Sequence, residues 1–196
     1  MNASSPLNLA ALVGAQDWAR LPQAVQRRFA HGTTATVYQG QMDLHCSAWG
    51  RCLAWLVRPL RSPLSSRRAV NVPATVTVQA VGNGVVWERC FANGVGTVRS
   101  TKELGADGGL QERTDGGLAM ALAVFQEDGA LVFESRRYFL ACGRFRLPVP
   151  AWMSPGVCRV EHRDLGEGQF RFTLSMRHPL LGETFHQTGV FRDPRS

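Results

Sequence analysis

Apolar and polar residues alternate one by one along most of the chain, which is the period of a half-buried strand. Gln169 to Met176 is one-sided, with Phe170, Phe172, Leu174 and Met176 on one face and Gln169, Arg171, Thr173 and Ser175 on the other. Val85 to Glu112 carries the same alternation through two or three short strands. The first of these puts Trp87, Arg89 and Phe91 on one face. Asn71 to Val81 also alternates and ends at Gly82-Asn83-Gly84, a short hairpin signal. Further turns are offered by Asn93-Gly94, Asp107-Gly108-Gly109, Asp115-Gly116-Gly117, Asp128-Gly129 and Gly166-Glu167-Gly168. Turns at this frequency predict an antiparallel sheet, curved, sandwiched or closed. Gly117 to Phe125 is apolar on both faces and needs cover on both, for which the N-terminal helices are available.

Two segments switch to the helical period. In Asp17 to Gly32, Pro22 suits the first turn, Val25 and Phe29 share a face, and Gly32 can end the helix. In Ser47 to Leu60, Ser47 is an N-cap, and Trp49, Cys52, Leu53, Leu56, Val57 and Leu60 form one apolar stripe with Arg51 and Arg58 off it. That stripe predicts a helix lying on a sheet or plugging a barrel mouth. The alternative is a membrane-surface helix with Trp49, Trp55 and arginines at the interface. Between the helices, Thr33 to Leu44 reads as a β-branched strand in which Gly40 predicts a bulge or bend. Arg61 to Arg68 has the serine, proline and arginine content of a loop.

The expected fold is therefore mainly β (α+β): a curved antiparallel sheet or barrel of about eight to ten strands with two N-terminal helices packed on it. The helices fall near residues 20–31 and 47–60 and the strands at 33–44 and across 70–192, within one β-rich domain over 17–196. Residues 1–16 read as a flexible or docking N-terminus.

Composition narrows the class. With 196 residues, 44% apolar and 19% charged, the chain is one domain of ordinary globular make-up. That length buries about 70% of the unfolded surface without disulfides or a structural metal. Residues 1–70 hold eight arginines against Asp17 and Asp43, so the positive charge is concentrated there. A basic N-terminal third can meet an acidic partner or an anionic surface. Lys102 is the only lysine, so the lysine-rich runs of many nucleic-acid binders are missing, as are RNA-binding sheet motifs. The five cysteines are odd in number with no CxxC pair, the pattern of reduced thiols in a cytoplasm. The first sixteen residues lack the basic start and apolar core of a signal peptide, and no apolar run reaches the roughly 18 residues of a membrane span.

Candidate chemistry centres on Arg89. Facing inward between aromatics, it needs an anion, because unpaired buried charge costs several kcal/mol or more. Glu112 is the first choice of partner, with Glu103 and Glu134 as alternatives. Arg89 then either fixes strand register through a buried ion pair or reads the carboxylate or phosphate of an apolar ligand. His178 falls in a turn, His162 lies on a strand between Glu161 and Arg163, and His186 lies opposite Phe185. No two histidines have the spacing of a preformed metal site. His186 with Glu112 or Glu161 is the one acid-base pair to consider. No GxSxG elbow or phosphate loop is present, and Cys52 and Cys90 read as small core residues.

The last third carries a resemblance. Leu147-Pro148-Val149-Pro150 with Trp152 and Pro155, then Phe170 to Phe191 with its His178-Pro179-Leu180-Leu181-Gly182 run, resemble the bacterial family called domain of unknown function 4166. Trp87 to Ser100 fits its W-x-R-x-F signature, and Leu21 to Phe29 and the strand of Gly40 also fit. Relatives tend to have a tyrosine just before the late glycine, where this chain has Gln187 and Thr188 before Gly189. The resemblance implies a domain found alone or joined to nucleotide-binding oxidoreductase-like domains, which makes such a protein a candidate partner. This chain has no dinucleotide fingerprint of its own.

The expectation is a cytoplasmic protein, without cofactor or nucleic-acid partner, that binds a small apolar or amphipathic molecule inside a barrel-like cavity. Its site residues are Trp87, Arg89, Phe91, Glu112, Phe133, Phe172 and His186, with Arg89 at the ligand's polar end. One alternative is a cofactor-free cyclase, isomerase or hydratase using the same cavity and a Glu112–His186 pair. The other is an interaction domain docking through the basic N-terminal third.

Overall fold

The computed structural model describes residues 7–30, 35–57, 68–92, 96–142 and 145–194. Gly32, the Asn93-Gly94 turn, Arg58, Leu60 and most of the 61–68 loop lie outside these residues. The strands are β1 (Thr36–Cys46), β2 (Ala69–Val81), β3 (Gly84–Phe91), β4 (Gly96–Leu104), β5 (Leu110–Thr114) and β6 (Leu118–Glu127). They continue as β7 (Ala130–Cys142), β8 (Phe145–Val149), β9 (Val157–Gly166), β10 (Gln169–His178) and β11 (Gly182–Arg192).

Among the described residues eleven strands form one sheet, ordered β6-β5-β4-β3-β2-β1-β11-β10-β9-β7-β8, and pairing of β6 with β7 closes ten of them into an antiparallel barrel. β7 is long enough to serve two partners on one edge. Its residues 130–134 pair with β9, which completes the ring, and residues 138–142 pair with β8, which stands outside it. Closure removes the free strand edges that an open sheet would expose. The turn signals fall where strands meet: Gly82-Asn83 joins β2 to β3 and Asp128-Gly129 joins β6 to β7. Asp128 and Gly129 both have positive φ (48° and 76°), as in the mirror-image turn that matches strand twist.

Gly40 makes no bulge. Pairing with both neighbours continues through it, and the register shift on the β2 side lies between Met42 and Leu44. Glycine is required there by close approach, since a Cβ would sit 2.2 Å from the Val190 carbonyl oxygen and 2.7 Å from the Phe191 ring.

Among the described residues four short α-helices occur, α1 (Leu9–Val13), α2 (Ala15–Ala19), α3 (Gln23–Phe29) and α4 (Ala48–Leu56), of which the last two are the two expected. α1 packs against β6, and Leu9 and Leu21 join the interior cluster. α3 sends Val25 and Phe29 into the barrel mouth where β1 begins. α4 lies at the opposite end, where β1 finishes, and its docked face overlaps the predicted stripe only in part, at the half-buried Leu53 and Val57. Gly50 and Ala54 are its buried residues, while Trp49, Cys52 and Leu56 are exposed. The reason is close approach: a Cβ on Gly50 would sit 2.2 Å from the Thr184 carbonyl oxygen, so a helix docked this tightly presents its smallest residues. Ser47 caps α4 as expected, accepting a hydrogen bond from the Gly50 N–H at 3.0 Å. Among the described residues no helix is long and apolar enough to cross a membrane.

Candidate functional site at the barrel mouth

Alternation along β3 turns Trp87, Arg89 and Phe91 inward, and all three are buried. Phe91 lies nearest the α4 end and Trp87 nearest the α3 end, with Arg89 between them. β4 and β5 then bring their own inward rows alongside. Lys102 on β4 stands directly opposite Glu112 on β5, and the two are joined by a 3.0 Å salt bridge. Arg89 Nη2 lies 3.9 Å from the other Glu112 oxygen, too long for a hydrogen bond. Two cations thus flank one carboxylate, and none of the three side chains is more than 8% exposed.

Aromatic rings surround this cluster. Lys102 Nζ lies over Trp87 at 5.1 Å and Phe133 at 5.3 Å, and the Arg89 guanidinium lies 5.4 Å from the Phe172 ring. His162, inward on β9, is boxed by Phe29 (4.9 Å), Phe172 (5.3 Å) and Trp87 (5.5 Å). Burial, reinforced by the charges of Lys102, Arg89 and Arg28, holds His162 well below its ordinary pKa, so it is neutral. Burial also works against ionisation of Glu112, but Lys102 and Arg89 outweigh it and keep the carboxyl below its usual range. Lys102 is lowered by burial, with Glu112 opposing and Arg89 adding to the shift.

A second ionic cluster fastens α3. Arg28, at the end of α3, donates from Nε and Nη2 to the two carboxylate oxygens of Asp193 at 2.6 and 2.8 Å, and from Nη2 to Asp164 at 2.7 Å. Its guanidinium also covers the Phe170 ring at 4.5 Å. This seats α3 against the ends of β9 and β11, so that Phe29 stacks on Trp87 at 5.8 Å. Beneath this layer lies a void of ≈ 20 Å³, lined by residues including Arg28, Phe29, Trp87, Arg89 and His162. That is room for about one water. Above it a cleft of ≈ 1410 Å³ opens between the N-terminal helices and the strand ends, and its lining includes Phe29, Trp87 and Lys102.

The family model described as Domain of unknown function (DUF4166) matches residues 21–191, most of the chain. The chain belongs to that family. A search of curated proteins finds no match. The matched span includes every residue of both ionic clusters in this DUF4166 domain except Asp193.

Of the residues expected to form the site, Trp87, Arg89, Glu112, Phe133 and Phe172 meet in the interior of this DUF4166 barrel, and Phe91 lies deeper on the same face. His186 does not join them. It pairs across the sheet with His45 and Ser175 on the outer parity of β11, with its Nδ1 3.4 Å from Glu183. The Glu112–His186 acid-base pair is therefore not formed, because β11 turns Phe185 inward and its neighbour outward. Cys90 is exposed on the outer face of β3 rather than in the core. Glu103 points outward to Gln111 and Arg113, and Glu134 to Arg136 and Arg159, so Glu112 is the interior anion. Sequence reasoning missed Lys102, His162, Arg28 and the role of Phe29. For His162 a signal existed: Arg159, Glu161 and Arg163 charge the alternate positions of β9 and mark His162 as inward.

Proposed function

We propose that this domain binds a small, largely apolar molecule with an anionic end at the α3 mouth of its barrel. The apolar part lies in the cleft over Phe29 and Trp87, and the anionic end passes that layer to reach Arg89 and Lys102. Because the void below Phe29 is so small, binding requires its ring to rotate aside. The observation that carries this reading is the excess of buried positive charge. Glu112 serves two cations, and Arg89 reaches it only at 3.9 Å. A guanidinium has five donors, and a carboxylate or phosphate takes two of them in parallel.

Calorimetric titration with octanoate tests the reading. Arg89→Met should weaken binding by about thirtyfold, the factor corresponding to ~2 kcal/mol of charge-assisted hydrogen bonding. Its near-ultraviolet circular dichroism should stay native. Unchanged affinity, or a variant that unfolds, would assign Arg89 to strand register alone.

A further inference from the structure

Lysines and arginines total 22, and only Lys102 is lysine. Arginine supplies every other such cation, including the interior Arg28 and Arg89. A buried cation required only for charge and pairing is well served by arginine, as Arg28 demonstrates. Lysine differs in one chemical respect: it can lose its proton and become a nucleophile, which a guanidinium does not do in proteins. The sole lysine stands where that property has a use. Its Nζ is 3.0 Å from a carboxylate able to take the proton, its side chain is buried, and it lines the cleft that opens to solvent. Burial, the largest influence on Lys102, favours the neutral amine.

The neighbouring arginine narrows the ligand class. Lys102 and Arg89 stand at the two oxygens of one carboxylate, so one carboxylate spans the gap between them. A 2-oxo acid carries a carboxylate and a carbonyl on adjacent carbons. With its carboxylate on the Arg89 fork, its carbonyl carbon faces the Lys102 amine and its chain extends into the cleft.

We propose that Lys102 forms a reversible imine with a 2-oxo acid bearing an apolar chain, an inference that rests on the anionic-end binding proposed above. Glu112 takes a proton from the ammonium, and the Nζ lone pair attacks the carbonyl carbon to give a carbinolamine. The hydroxyl then leaves as water, carrying the proton that Glu112 returns. A C=N bond replaces the C=O bond, one water is released, and the positive charge stays on the nitrogen as a protonated imine beside Glu112. No electrons are gained or lost.

The test is reductive trapping. The full chain is incubated with 2-oxooctanoate and sodium cyanoborohydride, its intact mass is measured, and the adduct is located by peptide mapping. The only other aliphatic amine is the chain's N-terminus, which serves as an internal reference. The expected result is one adduct on Lys102, of the probe's mass less one oxygen atom, and none in Lys102→Arg. Calorimetry on the same samples separates the two claims. Binding of 2-oxooctanoate with no adduct at Lys102 overturns the imine and leaves anionic-end binding standing. Neither binding nor adduct overturns both. Equal trapping of octanal, which lacks the carboxylate, overturns the assignment to 2-oxo acids.

Discussion

The barrel holds two buried ionic clusters of opposite imbalance. At the rim, one arginine, Arg28, serves two carboxylates with contacts of 2.6 to 2.8 Å, and those carboxylates keep side-chain exposures of 19% and 27%. Inside, two cations share Glu112 at 3.0 and 3.9 Å, and no member exceeds 8% exposure. The rim cluster is closed toward its anions, because its surplus charge is negative and partly in water, and Arg28 Nε and Nη2 are engaged with both aspartates, although Nη1 is buried without a partner among the described residues. The inner cluster is open, because its surplus is positive, dry and loosely held. A cluster whose work is to hold a helix can draw its counter-charges from the protein alone. One that leaves an arginine fork beyond hydrogen-bond distance of its one anion among the described residues is suited to receive another.

That contrast orders the expected effects. Glu112→Gln should be the most costly change. It leaves two desolvated cations without an anion, a loss of about 3–5 kcal/mol for breaking a buried ionic group. Urea unfolding should show a lower midpoint at similar slope. Adding Lys102→Met should recover part of the loss by removing one stranded cation. Arg28→Met should cost less, about 2 kcal/mol, because Asp164 and Asp193 already touch water and bear the loss of their partner more easily. Its local signature is faster amide exchange in α3, whose seat it removes. Should Arg28→Met prove more destabilising than Glu112→Gln, the distinction between a wet, closed cluster and a dry, open one fails.

How much of this was legible depends on how each side chain reaches the interior. The barrel follows from alternation and turn residues, because a period of two and a closed ring answer the same need to bury one face of every strand. Trp87, Arg89 and Phe91 could be placed inward because aromatics bracket the arginine. Lys102 could not, since β4 is polar on both parities: Ser100 and Lys102 face in while Arg99, Thr101 and Glu103 face out. Only the register that sets Lys102 against Glu112 resolves it. α4 misled because its apolar stripe is real, yet Gly50 approaches the Thr184 carbonyl more closely than any large residue would allow. Arg28 and Phe29 act across the whole length of the chain, Arg28 reaching Asp164 and Asp193, and a local pattern does not encode such partners.

The smallest effect concerns His162 and appears only as a pH dependence. The unfolded chain binds a proton at this histidine near its ordinary pKa of about 6.5, whereas the folded protein keeps it neutral to much lower pH. Below pH 6.5 the unfolded state therefore holds more protons, and stability falls as pH falls, by about 1.4 kcal/mol per pH unit. Its contribution is fully present above that pH. Glu112 has the same sign, since its depressed pKa gives stability that is lost only as pH drops below about 4.5. The interval from pH 6.5 to 5 thus separates His162 from Glu112, and His162 alone should cost the wild type about 2 kcal/mol there. His162→Phe should abolish that loss, because an aromatic ring that cannot titrate takes its place among Phe29, Trp87 and Phe172, and the ≈ 20 Å³ void beside it has room for the slightly larger ring. Urea midpoints measured at pH 7 and pH 5 decide the matter. A variant that keeps the wild-type slope would show that His162 is already open to protons in the folded state, and the dryness that separates the inner cluster from the rim would go with it.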